Sequence, residues 1–535
     1  MTNKRIVRQF GVGLVVYLLA GVWALPGWAQ TAAVKKMPAK TETLELKAEK
    51  NLATAKENSL QLRHFLLGIP KGADLHYHLT GGVYAETFIR EGAEDGLCVD
   101  VKTAGFTKCP ADVVQGPDCA DQWKTDAIVP AKAAYCEQGL YDALVDSFSM
   151  RGFVPYAGKT AHDHFFDAFA KFSPLKQSHL AEWVDEVAVR AAGQNEQYLE
   201  LMHTPDFSKA TEIAKEVSWT DDFAKLREDL LAHGLGENVK SNVEAFQGGE
   251  KKRREMEHCG EADAAPACKV DVRFLWQILR RMAPEVVFAQ AVVAFESAQA
   301  DPERIVGISL VSPEDGYVAR RDYALHMRMI QYLHQVYPKV HIELHAGEIT
   351  YGVVPLEDLC CHIRMAVEAG AERIGHGLDE MYETRPHELM REMAAKHVMV
   401  EINLSSNDLI LGVSGKNHPL PLYRQFGVPV ALSSDDEGVS RIDLTNEYAR
   451  AVTTYELHYA DLKKMSRTGL EHAFLPGASL WESLDDFSKR VNACANDVLG
   501  AEMPSKGCAE FLQSSEKATQ QWELERRFRQ FEANL

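Results

Sequence analysis

Two histidines separated by a single residue, His76 and His78, close an apolar run that begins at Ala73. Side chains alternate along a strand, so both imidazoles face the same side, where they can share a metal ion or stand as two hydrogen-bonded structural histidines. Other apolar runs end in similar residues. His345 closes Val340–His345 and is followed by Ala346, Gly347 and Glu348, while Asp435 and Asp436 follow the run Val428–Leu432 and two serines. Three histidines and a carboxylate, with no thiolate among them, suit zinc, although iron, cobalt or manganese accept the same donors. Such an ion with an open position lowers the pKa of bound water to about 7, which is hydrolase chemistry.

Three further residues offer proton transfer. Glu348 lies just past His345 and can reach a substrate beside the metal without ligating it; its alternative role is that of a carboxylate at a helix N-terminus. His376 ends the run Arg373–His376 between two glycines that let the backbone come close, and it can equally be structural. Asp435 and Asp436 are adjacent, and neighbouring carboxylates on a regular strand cannot both face one cation. One ligates and the other contacts substrate.

Positioning these groups requires strand ends that meet. Eight short β-branched runs alternate with amphipathic helical patterns: Ala73–His78, Gln197–Met202, Val270–Leu275, Ile305–Val311, Val340–His345, Arg373–His376, Val398–Leu404 and Val428–Leu432. Strands separated by helices pair in parallel, and eight of them imply an α/β fold, a closed (β/α)8 TIM-type barrel with its site at the carboxyl ends of the strands. The chain divides into residues 1–29, a linker and helical extension at 30–64, a barrel at 65–490 with an insertion at about 92–145, and a helical tail at 491–535.

The 535 residues are 46% hydrophobic and 25% charged, ordinary globular usage, with 77 acidic against 58 basic side chains. That acidity excludes a general grip on nucleic acid or anionic lipid. Lys4, Arg5 and Arg8, the apolar stretch Gly11–Leu25 and the small residues ending at Ala29 read as a cleaved export signal, so the expected product is periplasmic or secreted, with no membrane attachment after cleavage. Ten cysteines fit an oxidising compartment. Cys259 with Cys268 and Cys494 with Cys508 bracket polar loops, and Cys98, Cys109, Cys119 and Cys136 suggest two more bridges of open connectivity. Cys360 and Cys361 fall inside the helix-like pattern Leu356–Ala369 and read as free, packed thiols. No C-x-x-C occurs, so a thiolate zinc site is not expected.

At these residues the sequence resembles the adenosine deaminases of the amidohydrolase superfamily, in particular the secreted, adenosine deaminase-related growth factor branch. The matching pieces, in order, are Pro70 to Leu79, His345-Ala346-Gly347-Glu348, Arg373-Ile374-Gly375-His376-Gly377, Leu404-Ser405-Ser406-Asn407, Ser433-Ser434-Asp435-Asp436 and Leu444 to Tyr448. The resemblance implies one zinc ion held by His76, His78, His345 and Asp435, and attack by hydroxide on C6 of adenosine or 2′-deoxyadenosine. It further implies that Glu348 protonates N1, His376 orients or deprotonates the attacking water, and Asp436 bonds N7. The implied partner is a small-molecule purine nucleoside, and a homodimer stays open.

Two positions depart from the family pattern. Thr80 stands where an aspartate commonly meets the ribose 5′ end, and Ser312 stands where a glycine commonly approaches purine N3. Both bear on which 6-aminopurine is accepted. Two alternatives remain: another amidohydrolase acting on a modified 6-aminopurine or cyclic amide, and a secreted nucleoside-binding or signalling protein that has lost catalysis. The other zinc deaminase pattern, H-x-E with a later P-C-x-x-C, is only half present, at His341-Ile342-Glu343, and is set aside.

Overall fold

Each apolar run forms a strand in the computed structural model, which describes residues 43–111, 113 and 127–535. The strands are β1 Gly72–His78, β2 Glu196–His203, β3 Asp271–Leu279, β4 Ile305–Val311, β5 His341–Ala346, β6 Arg373–His376, β7 Met399–Ile402 and β8 Val430–Leu432. They pair in that order, every neighbour parallel. Just past β8 the sheet meets its first strand again: His78 N–H donates to the Asp435 carbonyl at 3.0 Å and Asp435 N–H to the His76 carbonyl at 2.9 Å. The fold is a (β/α)8 barrel of the TIM type. β3 runs beyond the expected Leu275 to Leu279 because its pairing with β4 continues from Trp276–Ile308 to Leu279–Val311.

The helix Pro284–Ala300 shows how sequence sets packing on the outer ring. Proline at its start supplies a preset φ where no N–H is needed. Its apolar residues encircle the axis instead of forming a stripe, and the helix is accordingly buried nearly all round, from Val286 to Ala298. At the amino ends of the strands, Gly72 opens β1 with φ +73°, and a Cβ there would lie 2.8 Å from the Ser466 carbonyl oxygen. Only glycine meets both conditions.

Helices Leu44–Ala55 and Ser59–Gly68 precede β1, each started by a side chain, Thr43 and Asn58, that accepts from its first turn. Helix Glu516–Asn534 lies beside them, with Phe531 edge-on to Phe65 at 5.3 Å and Glu525 holding Arg467 at 2.6 and 2.8 Å. Residues 43–535 form one compact unit that includes both segments. The expected export signal falls outside the described residues. No helix among the described residues is long and apolar enough to cross a membrane.

Between β1 and β2 the chain builds a small antiparallel sheet from Cys98–Asp100, Gly105–Thr107 and Ile128–Pro130. Helix Ala161–Phe172 follows, opened by a reciprocal Thr160–Asp163 cap, and turns Phe165, Phe166 and Phe169 toward the barrel mouth. Disulfides join Cys98 to Cys109, Cys259 to Cys268 and Cys494 to Cys508. Cys136 is disulfide-bonded as well, and Cys119 lies outside the described residues.

The reading of Cys360 and Cys361 as free thiols is corrected: they are bonded to each other. The pattern that suggested one helix is broken at this point, since a short turn Leu356–Leu359 ends before the helix His362–Ala369 begins. Outside a regular helix two adjacent side chains can turn toward each other. We expect peptide mapping without reduction to recover the Cys259–Cys268, Cys494–Cys508 and Cys360–Cys361 links, whereas alkylation of Cys259 or Cys494 in the native protein would contradict the structure. Replacing Cys494 and Cys508 together by alanine should cost about 3 kcal/mol in chemical denaturation, because that bridge closes a loop beneath the cluster of Trp481, Leu512 and Trp522.

Candidate active site

The site is assembled from strand ends. His76 and His78 come from β1, His345 from β5 and Asp435 from the turn after β8. His78 Nε2 lies 3.1 Å from His345 Nε2 and 3.2 Å from Asp435 Oδ1, which in turn lies 3.5 Å from His76 Nε2. Ligands about 2.1 Å from one ion lie about 3.0 to 3.4 Å apart in neighbouring positions, whether four or five groups surround it. His76 Nε2 is buried and has no hydrogen-bond partner, an orphan that a cation would satisfy. The donor set and its spacing therefore fit a divalent ion.

Each imidazole is fixed from behind. The His76 Nδ1–H donates to Glu401 Oε2 at 2.7 Å, the side-chain amide of Gln277 meets His78 Nδ1 at 2.7 Å, and Ser309 Oγ lies 3.2 Å from His345 Nδ1. Binding Nδ1 in this way leaves Nε2 aimed inward on all three rings. Glu401 is itself held by Arg373, which also pairs with Glu200 at 2.6 Å, all three fully buried inside the barrel.

Beside these donors stand Glu348 and His376, with His376 Nε2 at 3.7 Å from Glu348 Oε1 and 3.9 Å from Asp435 Oδ2. Burial, reinforced by the nearby carboxylates of Asp435 and Glu314, pushes the Glu348 carboxyl well above its ordinary range, the direction a proton donor needs. Its backbone is clamped by Glu314, which accepts from the N–H groups of Gly347 at 3.1 Å and Glu348 at 2.9 Å. Burial alone would raise Glu314, but the His362 imidazole and the Arg280 guanidinium bring it down to about 2, and the clamp is a carboxylate.

A chain of hydrogen bonds decides the tautomer of His376. The Leu420 N–H, a donor with no alternative role, donates to His418 Nδ1 at 3.1 Å, so neutral His418 carries its proton on Nε2. That proton goes to Asn407 Oδ1 at 3.0 Å, which turns the Asn407 Nδ2 donor toward His376 Nδ1 at 2.9 Å. His376 Nδ1 accepts, and its own proton is on Nε2, facing the site. Burial pushes both His418 and His376 down to about 3, and both rings are neutral.

Every other anticipated residue borders one cavity of about 260 Å³: His78, Thr80, Ser312, His345, Glu348, His376, Asp435 and Asp436 line it, with His76 beneath. Asp436 presents a buried Oδ1 without a partner. Phe165, Phe166 and Phe169 cover the opposite wall. His376, Asp435 and Ser312 have φ of +68°, +65° and +89°. That region costs a non-glycine residue about 1–2 kcal/mol, strain of the kind concentrated at functional sites.

Glu314, Glu401, Gln277 and His418 were not singled out from sequence. Glu401 left a signal, a charged residue inside the apolar strand Met399–Ile402. The others left none, since each acts through a partner remote in the chain.

Residues 159–488, more than half of the chain, match the sequence model of the adenosine deaminase family. An adenosine deaminase of Clostridium perfringens is 34% identical over 135 residues, 25% of this chain and 37% of that protein. An aminodeoxyfutalosine deaminase of Streptomyces coelicolor is 30% identical over 191 residues, 35% of this chain and 45% of that protein. The matches thus span less than half the length of these curated relatives. The apo structure of the N6-methyl-AMP deaminase of Arabidopsis thaliana aligns with 77% of this chain and 94% of its own at 20% identity and a TM-score of 0.49. The matched span begins after β1, yet the barrel brings His76 and His78 beside His345 and Asp435 within it. The chain belongs to the adenosine deaminase family.

Proposed function

We propose that the protein is a zinc-dependent deaminase that hydrolyses adenosine, and 2′-deoxyadenosine, to the corresponding inosine and ammonia. The observation that carries this reading is the meeting of the His76, His78, His345 and Asp435 donors with the buried carboxyl of Glu348 around one cavity. A pure nucleoside binder has no need of a buried proton donor beside such a set.

A divalent ion held by those four residues would supply hydroxide at neutral pH. Glu348 gives its proton to ring N1, which draws electrons from C6 and prepares it for addition. His376 donates from Nε2 to the oxygen that adds to C6 and so fixes its line of approach; with Nδ1 engaged by Asn407, it orients that oxygen and does not act as a base. Purine N7 is an acceptor, and Asp436, on the cavity wall, engages it as a carboxylic acid. One water is consumed: the proton of the hydroxyl added at C6 passes to the amino group, the C6–N bond breaks as the C6 carbonyl forms, ammonia leaves, and the proton lost from the water restores Glu348. Export is part of the same proposal, supported by the basic and apolar N-terminal pattern and by the disulfides among the described residues.

Elemental analysis beside single-turnover kinetics on adenosine tests the roles. Asp435→Ala should lose metal and activity together. Glu348→Gln should keep its metal and lose about 10²- to 10⁴-fold in turnover, the usual contribution of a general acid. Near-normal turnover in Glu348→Gln, or an empty metal site, would refute the proton-donor role.

The relay behind His376 makes a separate expectation. His418→Leu removes the donor that orients Asn407, and kcat should fall about 10- to 100-fold with KM and metal content unchanged. His418→Gln, whose amide can still donate to Asn407 Oδ1, should recover most of the loss. Equal loss in both variants would mean that His418 serves packing alone.

A further inference from the structure

A second cavity, of about 770 Å³, continues from the first. Thr80, Phe169, Thr204 and Leu279 line both, so the two share a doorway with Thr80 on its edge. The walls beyond are largely aromatic. Phe88 and Phe172 pack ring against ring at 4.5 Å, Trp183 meets Phe88 edge-on, and Phe207 also lines the cavity. Two of these walls, Phe169 and Phe172, belong to the helix laid over the barrel mouth.

The orientation proposed for the purine points a substrate at this doorway, and the subsite rests on that deaminase reading. With C6 at the donor set, N1 at Glu348 and N7 at Asp436, the sugar leaves the purine on the Asp436 side, away from Glu348. Asp436 packs directly on Gly81, leaving no room there for even a Cβ, and so the N7 side adjoins Thr80. The 5′ carbon of the sugar then faces Thr80 and the second cavity behind it. Thr80 is short and uncharged, so it neither blocks the doorway nor binds a 5′-hydroxyl as strongly as a carboxylate would.

We propose that the second cavity is a substrate subsite for an apolar, ring-sized group carried on the 5′ carbon of the nucleoside. Its aromatic lining suits stacking and burial of such a group. A 5′-phosphate is the poorer match, because among the described residues the only cation on this lining is Lys215, and two carboxylates, Glu212 and Asp206, line it as well. An unextended nucleoside fills the first cavity and leaves the second to solvent.

The test compares kcat/KM of the full-length metal-loaded enzyme on adenosine, 5′-deoxyadenosine, 5′-S-benzyl-5′-thioadenosine and AMP. The benzyl compound should exceed 5′-deoxyadenosine by at least about tenfold, through a lower KM, as expected when a buried apolar group adds uniform binding. Thr211→Trp, placed in the second cavity only, should erase that advantage and leave adenosine turnover unchanged; adenosine turnover in the same sample certifies the fold. Equal or poorer use of the benzyl compound by the parent enzyme overturns the subsite while the deaminase reading stands. A preference for AMP overturns the apolar class. Failure to deaminate any of the four overturns the deaminase reading itself.

Discussion

The barrel closes at the place where it holds its donors. Between β1 and the end of β8 the seam rests on the backbone of Asp435, which accepts from His78 N–H and donates to the His76 carbonyl. The residue whose carboxylate stands among the histidine donors is thereby also the residue that joins the last strand to the first. Its left-handed φ of +65° turns the chain so that side chain and backbone serve both purposes. Any slip of β8 against β1 would break the closure and scatter the donors together, which ties the geometry of the site to the integrity of the whole sheet.

Beneath that seam the barrel is filled with charge where many barrels carry branched apolar side chains. Arg373 lies fully buried between Glu200 and Glu401, with its guanidinium 3.8 Å from the centre of the Phe474 ring, and Glu401 passes the effect upward by holding His76. Buried ion pairs contribute little net stability, because desolvation offsets much of their attraction. Their value here is direction: a fixed acceptor below His76 sets which nitrogen faces the donors. Glu314 does the same for Glu348 through the backbone, and Asn407 with His418 for His376. His76, Glu348 and His376 are each positioned by a neighbour that does not line the cavity.

Much of this was legible in the chain. The order of apolar runs gave the eight strands, since a period of two and a period of 3.6 are both written locally. The residue types at their ends, His76, His78, His345, His376, Asp435 and Asp436, stood out as candidates, and they come together because strand ends in such a barrel converge whatever the loops do. Local pattern misled at Cys360 and Cys361, where an apolar periodicity ran through a break in the helix and hid a covalent bond.

What only the tertiary structure decided is every relation between residues far apart in sequence. The tautomer of His376 depends on Asn407 and His418, the upward shift of Glu348 on its burial beside Asp435 and Glu314, and the cavity beyond Thr80 on a helix that precedes β2. None of these leaves a local trace, because a hydrogen bond or a desolvated carboxyl is a property of the neighbour's position and not of the residue's own type. The sequence by itself determined which chemical groups the protein brings to the mouth of a barrel. Closure of that barrel decided which atom of each group faces inward, which carry protons, and how much space lies beyond them.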